Sequence, residues 1–383
     1  MNIPPVRAVA VLAVAALAAT ACATDPQATE QGIDGGATDG LAAVCPDPIV
    51  VQSPWWPQSE HGVFYHLVGD GYRIDPDTLS VTGPLLASGQ DTGVEIEVRA
   101  GGPAVGFQNA ASLMYADDSI MLGQVATDDA IGLSADTPVV AVMAPMDIAP
   151  YMIMWDPQRF PEFNTVVDIG RSDTTVLYFD GATYMDYLVG SGILREEQVD
   201  GSYDGSPSRW LADDGNIAQQ GFATNEPYVY ESELEVWARP VQFQLIHHTG
   251  YPIYPEAVVV RADQLDQHAA CLGQLVPILQ QSLVDYAQNP APTNELIVEL
   301  TDAYGAFPYG TEKASWAVEQ QLRLDIVSNG GNGTIGEFDL ARVQQTIDIV
   351  APIYTGQRRD IKADITPDDL VTNQFIDESI GLP

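Results

Sequence analysis

Seven apolar runs punctuate the chain: residues 48–53 (PIVVQS), 94–99 (VEIEVR), 120–125 (IMLGQV), 139–144 (VVAVMA), 175–179 (TVLYF), 241–246 (VQFQLI) and 257–261 (AVVVR). Each is five or six residues long and rich in β-branched side chains, which predicts a strand. Helical spacing lies between and after them. Leu272, Leu275, Val276, Leu279 and Leu283 fall on one helical face, with Pro277 expected to kink that helix or sit in its first turn. Val318, Leu322 and Ile326 make a second stripe, and Leu340, Val343, Ile347 and Val350 a third. Strands alternating with amphipathic helices predict an α/β protein with mostly parallel sheets and a largely helical last part.

The first residues follow a different pattern. Arg7 is the only charge among the first 22 residues, and residues 9–21 are apolar and small, as in an export signal. That run is too short for a comfortable membrane span. It ends in Ala19-Thr20-Ala21-Cys22, small residues before a cysteine that resemble a lipobox, with Ala19 where leucine is usual. The expectation is a lipoprotein signal peptide over 1–21, with Cys22 lipidated. Residues 22–45 hold Ala, Thr, Gly and Asp with almost no large apolar side chain, and are expected to form a flexible, disordered tether. Cys45 and Cys271 then remain. Outside the cell they would pair as a disulfide or stay as two separate buried thiols.

Composition narrows the function. The 383 residues amount to roughly two to three domains, and a 46% hydrophobic content suffices for buried cores. Fifty-three acidic residues against fifteen basic ones leave a formal net charge of −38. That field repels phosphate backbones, so no nucleic-acid partner is expected, and it disfavours a basic hold on anionic lipid. It favours a soluble monomer.

In open α/β sheets ligands sit beyond strand ends, near helix N-termini. Trp55-Trp56-Pro57 follows the first strand, and His61 lies near the start of the next helix, where a histidine is more often a surface or capping residue. Gly101-Gly102-Pro103, Thr127-Asp128-Asp129 and Asp180–Tyr184, with Thr183 and Tyr184, follow later strands. The densest polar and aromatic stretches hold Ser206, and then Asn225, Glu226 and Tyr228. Several such turns on one side of a sheet suit a binding cleft.

No catalytic or metal-binding motif stands out, so neither an enzyme, a cofactor nor a metal is expected. The literal G-x-G-x-x-G at 331–336 follows a helical pattern rather than a strand and reads as a turn between helices. His247 and His248 are adjacent, and on a strand they would point to opposite faces.

In their order, these features resemble the solute-binding lipoproteins of ABC importers. More narrowly, they are similar to the periplasmic-binding-protein type II proteins of the nitrate, sulfonate, taurine and thiamine-pyrimidine-precursor class. The resemblance spans residues 46–383. It is carried by Trp56-Pro57, His61-Gly62-Val63-Phe64-Tyr65, Gly69-Asp70-Gly71-Tyr72, Gly101-Gly102-Pro103, Asn225-Glu226-Pro227 and Val371-Thr372-Asn373-Gln374-Phe375-Ile376. Residues 104–119 depart from it, with a small-residue turn in place of the family's short helix.

The resemblance implies two α/β lobes with a ligand cleft between them: lobe one from 46–148 and 247–383, lobe two from 149–246. Trp56, His61, Gly102, Thr127, Thr183, Tyr184, Ser206, Asn225, Glu226 and Tyr228 would then face the cleft. It implies a small-molecule ligand, an ABC permease as membrane partner, and a location outside the cell membrane on the lipid anchor. A cleft rich in aromatic and amide groups suits a pyrimidine-like thiamine precursor better than a sulfonate or nitrate. An anion would need an arginine, and Arg99, Arg171, Arg209 and Arg239 are the candidates. A ligand sensor is the alternative outside transport. A branch of the family that makes a pyrimidine needs a lysine in the cleft, whereas Lys313 and Lys362 both read as lying in the helical C-terminal part.

Overall fold

Every one of the seven apolar runs forms a strand in the computed structural model, which describes residues 38–383; the export signal, the lipobox and Cys22 lie outside the described residues. In chain order the strands are β1 (Ile49–Gln52), β2 (Arg73–Asp75), β3 (Ser80–Ala87), β4 (Gln90–Arg99), β5 (Ile120–Val125), β6 (Val139–Met143), β7 (Tyr151–Trp155), β8 (Val176–Leu177), β9 (Val199–Asp200), β10 (Ala218–Phe222), β11 (Gln242–Leu245) and β12 (Ala257–Arg261). The apolar pattern does not announce β2, β3, β7, β9 and β10. β2 and β9 are only three and two residues long, β3 carries Gly83 and Pro84, and β10 reads AQQGF.

Two sheets result. One has seven strands in the order β2-β3-β4-β1-β5-β12-β6, and the other five in the order β11-β7-β10-β8-β9. The expectation of mostly parallel sheets is corrected to mixed ones. β1 runs parallel to β4 and β5, and β8 to β9 and β10, while every other pairing is antiparallel. Apolar runs report burial on both faces, not strand direction. The chain leaves the first sheet after β6, builds the whole second sheet, and returns as β12 between β5 and β6.

Side-chain alternation sorts the strands into two cores. Ile49 and Val51 of β1 enter one core and Val50 the other; Met152 and Met154 of β7 enter the first, Ile153 and Trp155 the second. Both cores therefore take side chains from both sheets. The stripe at Leu272, Leu275, Val276, Leu279 and Leu283 is buried along the helix Leu265–Gln288, which continues through Pro277. The other two stripes are less complete: Leu322 and Leu340 are exposed, and Ile326, though buried, lies beyond the helix Thr311–Arg323.

Two expectations fail near turns. The tether expected over 22–45 does not extend to Cys45, because Thr38–Val44 is a helix packed on β4 and on the helix Leu265–Gln288. Leu41 is fully buried there, and one leucine among small residues is enough to seat a short helix held by a covalent bond. That bond joins Cys45 to Cys271, with Cα atoms 4.8 Å apart. Residues 104–119, expected as a turn, contain the helix Ala110–Ala116, whose first turn is capped by the Asn109 side chain accepting from the Ala111 N–H at 2.9 Å. The 331–336 glycine turn does lie between helices, Thr311–Arg323 and Leu340–Gly356.

Candidate functional site

The residues that join the two sheets are polar and aromatic. From the first sheet's side come the 3-10 turn Ser59–His61 after β1, the helix Thr127–Gly132 after β5, and Glu256 just before β12. From the second sheet's side come Tyr151 at the start of β7, the helix Thr183–Gly190, and the turn after β10 that carries Thr224 and Glu226. The helix Thr311–Arg323 adds Lys313 and Trp316.

Glu60 and His61 are buried at the centre of this layer. The Thr224 hydroxyl donates to Glu60 Oε1, joining the two sides directly. His61, a cleft candidate at a position where a histidine is more often a surface or capping residue, is fully buried, with Nε2 3.2 Å from Glu256 Oε2. That contact has the separation of an ion pair but not the directions of a hydrogen bond, and neither ring nitrogen has a hydrogen-bond partner. Burial opposes charge on His61, but the Glu256 and Glu60 carboxylates prevail and raise its pKa above the usual histidine value. Burial raises the Glu60 carboxyl, and the Thr224 hydrogen bond only partly opposes it.

Asp128 is buried beside them. It accepts from the Tyr251 hydroxyl at 2.7 Å, and burial raises its pKa. Tyr151 packs against Tyr184 and Phe222, with ring centroids 5.7 and 5.2 Å away, and its hydroxyl feels the charges of Asp128 and Glu256. Glu226 accepts from the Phe222 N–H at 2.6 Å, and desolvation raises its carboxyl. Further contacts bridge the two sides: Thr183 Oγ1 and the Tyr354 hydroxyl at 2.9 Å, Lys313 Nζ and Glu233 Oε2 at 3.5 Å, and the rings of Tyr228 and Trp316 at 5.4 Å.

His61, Thr183, Tyr184, Glu226 and Tyr228 are therefore brought into this layer. Thr127 spends its hydroxyl on the Tyr254 backbone, accepting from its N–H at 3.1 Å. Gly102 sits in the left-handed region at φ +59°, under Trp55; a Cβ there would lie 2.4 Å from the indole. Trp56 is half-buried and packs on the first core. Asn225 opens the Glu226 turn. Ser206 is not part of the layer: its hydroxyl donates to Asp204 at 2.8 Å within its own loop. His247 and His248 lie on a 3-10 helix, Ile246–Thr249, rather than on a strand.

Sequence reasoning missed Glu60, Asp128, Glu256, Tyr151 and Lys313 as members. Glu60 and Asp128 were each one residue from a named candidate. Lys313 does lie in a C-terminal helix, Thr311–Arg323, but it is 3% exposed and its Nζ faces Glu233 on the second sheet's side. The four candidate arginines all have acidic partners, Arg99 with Glu97 and Asp117, Arg171 with Asp168, Arg209 with Asp213 and Asp200, and Arg239 with Asp156. Among the described residues no three His, Cys, Asp or Glu side chains are grouped to hold a metal ion. A hollow of about 460 Å³ lies elsewhere, on the β2–β4 edge, lined by Arg73, Asp75, Thr78, Ser80 and Glu97 among others.

No protein-family model matches the chain, and no curated protein matches its sequence. Solved structures do match its fold. The periplasmic aliphatic sulphonate-binding protein SsuA of Escherichia coli aligns with a TM-score of 0.52 at 12% identity, over 84% of this chain and 94% of that one. The ligand-binding component of an ABC-type import system from Staphylococcus aureus, solved with zinc bound, gives 0.52 at 14%, over 87% and 100%. The periplasmic nitrate-binding protein NrtA of Synechocystis gives 0.50 at 10%, over 86% and 88%. The chain has the periplasmic-binding-protein fold.

Proposed function

We propose that the protein is an extracytoplasmic solute-binding protein of an ABC importer, which captures a small organic molecule between two lobes and delivers it to a membrane permease. The observation that carries this reading is the layer of buried carboxylates and tyrosines where the two sheets meet, in a fold whose solved examples include importers' binding components. Lobe one would comprise 46–148 and 247–383, lobe two 149–246, hinged where the chain passes from β6 to β7 and from β11 to β12. Opening and closing about those passages would admit and enclose the solute, with no bond made or broken. The Cys45–Cys271 bond suits an oxidising compartment, and lipidation of Cys22 would hold the monomeric body at the membrane's outer face. No helix among the described residues is long and apolar enough to cross a membrane.

A pyrimidine-like thiamine precursor is the first solute to test, because tyrosine and tryptophan rings stack on heteroaromatics while carboxylates read amino groups. Sulfonate or nitrate is the second, favoured by what two of the matched structures bind. The test is a thermal-shift screen of residues 36–383 against pyrimidines, sulfonates, nitrate, amino acids and polyamines. A solute at 100 times its Kd adds about 2.7 kcal/mol, enough to raise Tm visibly. No shift from any class would count against a solute-binding role.

A further inference from the structure

The layer between the sheets carries an imbalance of charge that the fold does not require. Glu60, Asp128 and Glu256 are buried on the first sheet's side, and on the second Glu226 is half-buried and Glu233 exposed. Only His61 and Lys313 answer them. Burying carboxylates costs free energy unless cations or hydrogen bonds offset it, and a fold with no use for them would replace them with apolar residues. Two features show that the set is not closed on itself. His61 is fully buried and its Nδ1 has no hydrogen-bond partner, while its Nε2 and Glu256 Oε2 face each other at 3.2 Å without the directions of a hydrogen bond. Lys313 Nζ makes its ion contact only with Glu233, at the long distance of 3.5 Å, and stands 5.7 and 5.6 Å from the Phe307 and Tyr309 ring centroids.

The same layer is built against anions. Its carboxylates would repel them, and the candidate arginines Arg99, Arg171, Arg209 and Arg239 are engaged elsewhere. It is also not built for a bare metal ion, because no three donors converge. What remains is a cation whose charge is spread over an organic frame large enough to touch several carboxylates and to lie on tyrosine rings.

We infer that Glu226, Glu256 and Glu60 form the recognition site for a small organic cation bearing a protonated amino or amidine group, and that Lys313 is an internal competitor for their charge. The inference rests on the solute-binding reading and narrows its ligand class. It has a consequence of opposite sign to the anion alternative. Removing the Lys313 charge frees acidic groups for a cationic ligand and tightens its binding; for an anionic ligand it deletes an attraction and weakens binding.

The experiment is calorimetric titration of the wild type, Lys313→Met, Glu226→Gln and Glu256→Gln. The probes are a protonated aminopyrimidine, benzamidine and putrescine on one side, and ethanesulfonate, methanesulfonate and nitrate on the other. Thermal melts establish that each variant is folded. The expected result is saturable binding of a cationic probe, tightened about tenfold by Lys313→Met and weakened about tenfold or more by either glutamine variant. A cationic probe whose affinity falls with Lys313→Met overturns the inference. Saturable binding of an anionic probe alone also overturns it and leaves the solute-binding reading intact. If no probe of either charge binds, the inference and the reading fail together.

Discussion

His61 Nε2 and Glu256 Oε2 stand 3.2 Å apart, joining the turn after β1 to the residue that precedes β12. The pair therefore ties the first strand of the sheet to the strand that returns from the second sheet. Its protonation is coupled to folding. The folded-state pKa of His61 lies above its ordinary value of 6.5, so the native chain retains a proton that the unfolded chain has released. The stabilisation is complete below that value and is lost as pH rises through the folded pKa. Glu60, Glu226 and Asp128 are also raised and act with the same sign from the carboxylate range upward. Tm, measured at constant salt, is expected to fall as pH rises from the carboxylate range through the raised pKa of His61. His61→Gln should flatten the part of that slope above the ordinary histidine value of 6.5; an unchanged slope would mean His61 does not titrate with folding.

The seven apolar runs were legible as strands because buried strands such as β5 and β6 need continuous apolar side chains and half-buried ones such as β4 alternate them. The site was legible only by position. Thr183 and Tyr184 were candidates from the rule that strand-to-helix turns line a cleft, and Glu226 from a dense polar and aromatic stretch. Glu60, Asp128 and Glu256 were not, because a carboxylate in a protein this acidic reads as surface charge, and nothing local marks these three as enclosed. Lys313 escaped for a different reason: a helix far along the chain packs back over the turn after β1, and only tertiary structure reveals that return. β10 was missed because its AQQGF sequence carries two amides in place of apolar side chains, with Gln219 and Gln220 bonded to Tyr230 and to the Phe179 backbone.

The Thr183–Tyr354 hydrogen bond spans the two sides at 2.9 Å, with both residues buried. Tyr354→Phe leaves the Thr183 hydroxyl unpaired, with an expected loss of about 1–3 kcal/mol by urea unfolding. If the mutant unfolds at the wild-type midpoint, the contact contributes nothing to stability.

Trp56 and Asn225 flank the layer without entering its charged centre. Trp56→Ala and Asn225→Ala should each weaken binding of whichever solute the thermal screen identifies, while circular dichroism stays native. Normal affinity in both would remove them from the site.

Gly102 is held at φ +59° beneath the Trp55 indole. Gly102→Ala brings both an unfavourable backbone conformation and a side-chain clash, with an expected loss of about 1–3 kcal/mol. Tryptophan emission should change alongside stability, since the indole must move; a spectrum identical to wild type would place the strain elsewhere.

Replacing Cys45 and Cys271 together by serine releases a loop with a sequence separation of 226 residues. The chain-entropy argument for so long a loop sets the loss at about 3–5 kcal/mol. Denaturation of the double variant, compared with reduced wild type, checks it: equal stability of oxidised and reduced protein would show the bond to be neutral.

That crosslink also decides how the body carries a mechanical load. β1 lies in the middle of its sheet, and the chain enters it only a few residues after Cys45. A pull on the segment ahead of Cys45 would otherwise run straight into that central strand and peel it from its neighbours. With Cys45 bonded to Cys271, the force divides, and part of it passes into the long helix Leu265–Gln288. Less of the load then enters β1, and less of it reaches the turn that holds Glu60 and His61.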